Sequence, residues 1–244
     1  MDGRYFTENA QEWVDKLIAE VDSRQKYNNA RIARMKSRLA VGDMSEKEEK
    51  RLNRRIGQLK ERNAQLESVK GEVETLKESN QAYDVKISNE YSSAGPTPGS
   101  GTDVGAAEFN YNNGNFVMTL PSSAGLSLFS HELKHAYQFE TGAYSIGPIM
   151  PNEDIYTNFL YDKYDEVEAY DRGALFGGTT YTVNSLPAEY NFIATGPVDA
   201  TTQPNIRAIL GMSSDVQKKA FQHIANVTNQ TFRINGVTYY NKSK

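Results

Sequence analysis

His131-Glu132-Leu133-Lys134-His135 carries the residues best suited to chemistry, in an H-E-x-x-H spacing. On a helix, positions i and i+4 share a face, so both imidazoles can reach one Zn2+ at about 2.0–2.1 Å. Glu132 then lies beside the first ligand, close to the water that such an ion activates but outside the coordination shell. Zinc brings the pKa of that water to about 7, and a neighbouring carboxylate can take its proton as it attacks a carbonyl carbon. The spacing therefore predicts a zinc-dependent hydrolase with His131 and His135 as metal ligands and Glu132 as general base.

A zinc site of this kind takes three protein ligands and keeps a fourth position open. The chain has no cysteine and three histidines. The third ligand is therefore His223 or a carboxylate. His223 lies in an Ala/Phe/Ile-rich stretch and reads as a core-edge or supporting histidine. About 30 residues beyond the motif comes the acidic run Asp165-Glu166-Val167-Glu168-Ala169-Tyr170-Asp171. Here the chain resembles the zincin metallopeptidases of the gluzincin type, whose second helix carries the ligand in an E-x-x-A-[DN]-like pattern. The resemblance implies Glu166 as third ligand, with Glu168 as the alternative, Zn2+ as cofactor and a protein or peptide as substrate. An endopeptidase is expected rather than an exopeptidase. Tyr170 stands where Asp or Asn is usual, so the contact that orients a ligand histidine falls to Asp165, Glu168 or Asp171. Tyr144, Tyr170 and Tyr190 are candidates to stabilise the oxyanion of a tetrahedral intermediate.

A second likeness concerns origin. Met1-Asp2-Gly3-Arg4-Tyr5-Phe6 resembles the end of the D-P-D-G-R junction before the variable C-terminal toxin of Bacteroidetes-type Rhs/YD-repeat proteins. His131 to Gly142, HELKHAYQFETG, is similar to the HEL-x-HAYQ segments of toxin-type metallopeptidases in such chains. The likeness implies an effector released from a delivery protein, a substrate in a target cell and a cognate inhibitor or immunity protein as partner.

The elements that must position these residues follow from periodicity. Thr7 is an N-cap candidate for a helix with Trp13, Leu17, Val21, Ile32, Met35 and Leu39 on one stripe, broken at Gly42-Asp43. Ser45 and Glu48 form a capping-box pattern for a second helix. Its Leu52, Ile56, Leu59, Asn63, Leu66, Lys70 and Val73 follow a heptad seam with two polar interruptions. The short connection predicts an antiparallel helical hairpin over residues 1–80. Residues 81–244 are expected to form a zincin-like domain. Val85 and Ile87 mark a short strand, and 92–105 a Gly/Ser/Pro loop. Residues 107–111 and 115–120 flank Asn112-Asn113-Gly114 as a hairpin. Helices are expected over Ser127–Thr141, Asn152–Leu175 and Ser213–Asn226, and a last hairpin over Thr231–Tyr240. The fold class is α+β, with a small sheet and two active-site helices behind the N-terminal hairpin.

Composition narrows the function. Residues 1–80 hold 17 basic and 15 acidic side chains and 81–244 hold 10 and 16, for an overall charge of -4. Acids interleave with bases along the hairpin, so no nucleic-acid partner is expected. No apolar run is long enough to span a membrane, and the first residues have no signal-peptide pattern, so the chain is expected to be exported or delivered, if at all, as part of something larger. The rival reading is a non-catalytic protein, with the hairpin as a partner-binding module beside a structural or inactive metal site. A metal hydrolase acting on a non-peptide amide is a third.

Overall fold

The computed structural model describes residues 6–79, 82–88, 108–112, 115–141, 143, 145–148, 156–159, 161–191, 195, 213–216, 218–219, 221–222, 232–234 and 237–240. Helix α1 (Glu8–Val41) begins where the Thr7 side chain accepts from the Ala10 N–H, and ends at Gly42, whose φ of 75° is left-handed backbone that glycine adopts freely. Helix α2 (Glu46–Lys77) begins where the Ser45 hydroxyl oxygen accepts from the Glu48 N–H at 3.3 Å. The Glu48 carboxylate, expected to return to the Ser45 backbone, pairs with Arg38 across the hairpin.

The seam forms as the heptads predict, with Leu52, Ile56, Leu66 and Val73 buried. Both polar interruptions find partners on α1. Asn63 bonds Asn28 at 2.9 Å and Asn29 at 2.8 Å, and Lys70 reaches Asp22 at 2.7 Å. Slipping the helices past one another would break all three bonds, so these polar residues set the register.

Strands β1 (Ala82–Ser88), β2 (Glu108–Asn112) and β3 (Asn115–Pro121) form one sheet in the order β1-β3-β2. β2 and β3 are antiparallel with Asn112 opposite Asn115, the expected hairpin. β1 runs parallel to β3, from Ala82 opposite Asn115 to Ser88 opposite Pro121. Its inward residues are Tyr83 and Val85, whereas Ile87 is exposed.

Helix α3 (Leu126–Thr141) follows, then an antiparallel pair, β4 (Ser145–Pro148) and β5 (Tyr156–Phe159), then α4 (Lys163–Ala174). The single helix expected over Asn152–Leu175 is therefore corrected. The β-prone Tyr156–Phe159 pairs with β4, and the helix starts only at an Asp162 capping box. Asp162 accepts from the Tyr164 N–H at 2.6 Å, and Asp165 accepts from the Asp162 N–H at 3.0 Å. A 3-10 turn spans Ala188–Tyr190. β6 (Phe232–Ile234) and β7 (Val237–Tyr239) form the expected last hairpin. Residues 214–216, 218–219 and 221–222 are helical, within the helix expected there. The expected 92–105 loop, Tyr144 and His223 lie outside the described residues.

The architecture is α+β, and its core is one cluster. Val14, Leu17 and Val21 of α1 and Leu66, Val69, Val73 and Leu76 of α2 pack with Tyr83, Phe116, Met118, Phe129, Leu133 and Phe139. The change of composition at residue 80 is thus not a boundary in the buried core. No helix among the described residues is long and apolar enough to cross a membrane.

Candidate metal centre

Helix α3 is buried on most of its circumference. Phe129, Leu133, Ala136 and Phe139 face the core, where Phe139 meets Phe116 with ring centroids 3.9 Å apart and Phe129 meets Trp13 at 5.4 Å. His131, His135 and Gln138 face α4. The two helices approach closely because α4 offers Ala169 and Gly173 at the contact. A Cβ on Gly173 would sit 3.0 Å from the Ser127 carbonyl oxygen and 3.7 Å from His131 Cβ.

This approach brings His131, His135 and Glu166 together. The two Nε2 atoms are 3.2 Å apart. Glu166 Oε1 lies 3.2 Å from His135 Nε2, and Glu166 Oε2 lies 3.4 Å from His131 Nε2. Ligand atoms at tetrahedral angles around an ion at about 2.05 Å would be about 3.3 Å apart. The His131–His135 edge matches, and each imidazole has a Glu166 oxygen at a similar distance, Oε1 for His135 and Oε2 for His131. Among the described residues Glu166 Oε2 is also buried without a hydrogen-bond partner, a costly arrangement that a cation would relieve. The buried His131, His135 and Glu166 group could therefore hold a metal ion.

The surrounding bonds orient these three side chains. Gln138 Nε2 donates to the Asp165 carbonyl at 3.0 Å and to Glu168 Oε2 at 3.3 Å. That leaves Gln138 Oε1 as an acceptor, 2.8 Å from His135 Nδ1. His135 must then carry its proton on Nδ1, which turns Nε2 toward Glu166 and His131 as a ligand atom. The Tyr161 hydroxyl donates to Glu166 Oε1 and fixes the carboxylate from the other side. Neither Gln138 nor Tyr161 was among the predicted site residues. The signal for Gln138 was its i+3 position after His135, on the histidine face of the helix. For Tyr161, five residues before Glu166, no local pattern exists.

Charge within the site is strongly coupled. In the metal-free chain, burial opposes a charge on His135, but the Glu166 and Glu132 carboxylates outweigh it and raise its pKa to about 9. Burial likewise opposes the Glu166 anion, and His135 and His131 outweigh it, holding that carboxyl well below the usual carboxylate range. A proton on His135 Nε2 thus stands where a metal would.

Glu132 is buried, with Oε1 3.9 Å from His131 Nε2. It lies beside the His131, His135 and Glu166 group and outside it. Glu168 is not brought into the group: its side chain is 60% exposed and lies 3.4 Å from Lys134 Nζ. Asp165 caps α4 through its side chain and supports His135 only through its backbone carbonyl. Burial pushes its carboxyl up to about 7. Asp171 is exposed. Tyr170 packs edge-on against the His131 ring, with centroids 4.6 Å apart. Its hydroxyl is 3.1 Å from that of Tyr190. Burial, followed by the charge of Glu166, the neighbouring Tyr170 and Glu132, raises the Tyr190 pKa, so this phenol stays a hydrogen-bond donor.

No protein-family model, curated protein or solved structure matches the chain.

Proposed function

We propose that the chain is a zinc-dependent peptidase in which His131, His135 and Glu166 hold the ion. The observation that carries this reading is the placement of Glu132: a buried carboxylate 3.9 Å from a ligand nitrogen, on the same helix as both histidines. When bound, Zn2+ would supply a Lewis acid that lowers the pKa of water and polarises a carbonyl. Glu132 takes the proton of the attacking water and returns it to the leaving nitrogen. Gln138 and Tyr161 keep His135 and Glu166 in their ligating orientations. Tyr190 and Tyr170 present phenols on the His131 side, where a hydroxyl can stabilise a developing oxyanion. The HELKHAYQFETG segment further supports a delivered effector opposed by a cognate inhibitor.

The deep burial of all four residues favours one second reading, a structural metal site without turnover. Glu132→Gln separates the two. It keeps shape and most hydrogen bonding but cannot act as a base. Zinc stoichiometry should stay at the wild-type value while cleavage of a denatured protein falls by about 10²-fold or more. A wild type that holds zinc and cleaves nothing across a broad peptide library would favour the structural site.

A further inference from the structure

Glu166 depends on the seating of α4, whose own turns bring little apolar packing, although Leu175 and Phe176 just past its end enter the core. Its buried residues are Asp165, Glu166, Ala169 and Gly173. None carries an apolar side chain larger than a methyl group, so within the helix itself no large knob fixes its position. Polar bonds from the hairpin add to the anchoring that Leu175 and Phe176 give at its end. Arg24 of α1 donates to the Leu175 carbonyl and Arg62 of α2 to the Ala174 carbonyl, each at 2.8 Å. Both are cations placed on the open carbonyls of a helix C-terminus. Arg172 of α4 reaches back, donating to the Gln65 carbonyl at 3.0 Å and to Glu72 Oε1 at 2.6 Å. The same Glu72 oxygen accepts from Lys134 Nζ at 3.1 Å. Lys134 immediately precedes His135 on α3.

One buried hairpin carboxylate thus ties the histidine helix to the glutamate helix. Resting on the metal-centre reading above, we infer that Glu72 is a positioning residue for the site, through which the hairpin sets metal affinity. Without it, the side chains of Lys134 and Arg172, 12% and 11% exposed, would face each other with their shared anion gone. The two helices would then move apart at the place where ligand edges of 3.2–3.4 Å must be kept. Metal sites tolerate errors of only about 0.2 Å in ligand distance. A slight shift of α4 therefore weakens binding without unfolding the chain.

The test uses the full chain, freed of metal and titrated with Co2+, reading both affinity and visible absorption. Glu72→Gln should weaken Co2+ by about tenfold or more, the scale for groups that orient ligands, and shift the absorption bands. Glu72→Asp should recover part of both. Ile56→Ala serves as control, because it opens the hairpin seam far from Glu72. It should lower Tm and leave affinity and spectrum at wild-type values. Glu72→Gln with wild-type affinity and spectrum overturns the proposal, as does Ile56→Ala weakening Co2+ equally. If Glu72→Gln fails to fold, Lys134→Met removes one arm while Arg172 keeps Glu72 paired. Lys134→Met must weaken binding several-fold, and wild-type affinity there overturns the proposal too. A wild type that binds no Co2+ removes the metal-centre reading itself, and this inference with it.

Discussion

Replacing Gln138 by leucine isolates the hydrogen bonds that orient His135. Gln138 is buried, and its amide bridges His135 Nδ1 at 2.8 Å to the Asp165 carbonyl at 3.0 Å. Leucine has similar bulk but removes both bonds, leaving one buried donor and one buried acceptor unmatched. Each costs about 1–3 kcal/mol, so the metal-free chain should lose roughly 2–4 kcal/mol once the gain from an apolar side chain is subtracted. His135 is then free to place its proton on either nitrogen or to rotate. The loss in metal affinity should be about 10- to 100-fold, or roughly 1.4–2.7 kcal/mol. Gln138→Glu keeps the acceptor for His135 but turns an anion toward the Asp165 carbonyl and Glu168. It should lose comparable stability yet bind metal more tightly than the leucine variant. Urea denaturation of the metal-free proteins gives the first quantity, and competition with a chromophoric chelator gives the second. Wild-type metal affinity in Gln138→Leu would refute the claim that Gln138 sets the His135 tautomer.

Two further outcomes follow from the charges and the core. Because His135 in the metal-free chain has a pKa raised to about 9, metal uptake at pH 7 should release about one proton, and this release should fade above pH 9. Calorimetry in buffers of different ionisation enthalpy reads it, and no buffer dependence at pH 7 would contradict the His135–Glu166 coupling. The same raised pKa stabilises the metal-free fold below the unfolded value of about 6.5, and that contribution is lost as pH rises through about 9. Deleting residues 1–80 should leave 81–244 unfolded and unable to bind metal. It removes Leu17, Val21, Leu66, Val69, Val73 and Leu76 from the shared core, at about 1.5–3 kcal/mol each against a typical total stability of about 5–15 kcal/mol. A truncated chain with native-like dispersed NMR signals and bound metal would contradict this.

What was legible in the sequence was local. Histidines at i and i+4 identify a helical face, and Glu166 is implied by the resemblance to gluzincins through a short pattern around Ala169, whose small side chain lets α4 reach α3. Thr7 and Ser45 mark helix starts because their hydroxyls have a fixed backbone target three residues on. The β2–β3 and β6–β7 hairpins pair strands adjacent in sequence. The remainder is non-local. The parallel pairing of β1 with β3 joins strands some thirty residues apart, which alternation cannot assign. The start of α4 was misplaced because Tyr156–Phe159 carries no Gly or Pro, and only its partner β4 makes it a strand. Residues 1–80 are rich in interleaved charge. That pattern describes the solvated faces of the hairpin, whereas Leu17, Val21, Leu66 and Val73 pack in one cluster with α3. Glu72 looks like one more surface acid until Lys134 and Arg172 converge on it.

If His131, His135 and Glu166 hold zinc, anomalous diffraction at the zinc edge from crystals of the zinc-loaded full chain shows one strong peak per chain, bounded by His131 Nε2, His135 Nε2 and a Glu166 carboxylate oxygen at about 2.0–2.2 Å, with Glu132 outside that shell. A peak elsewhere, or none between these three side chains in crystals that contain zinc, would contradict that assignment.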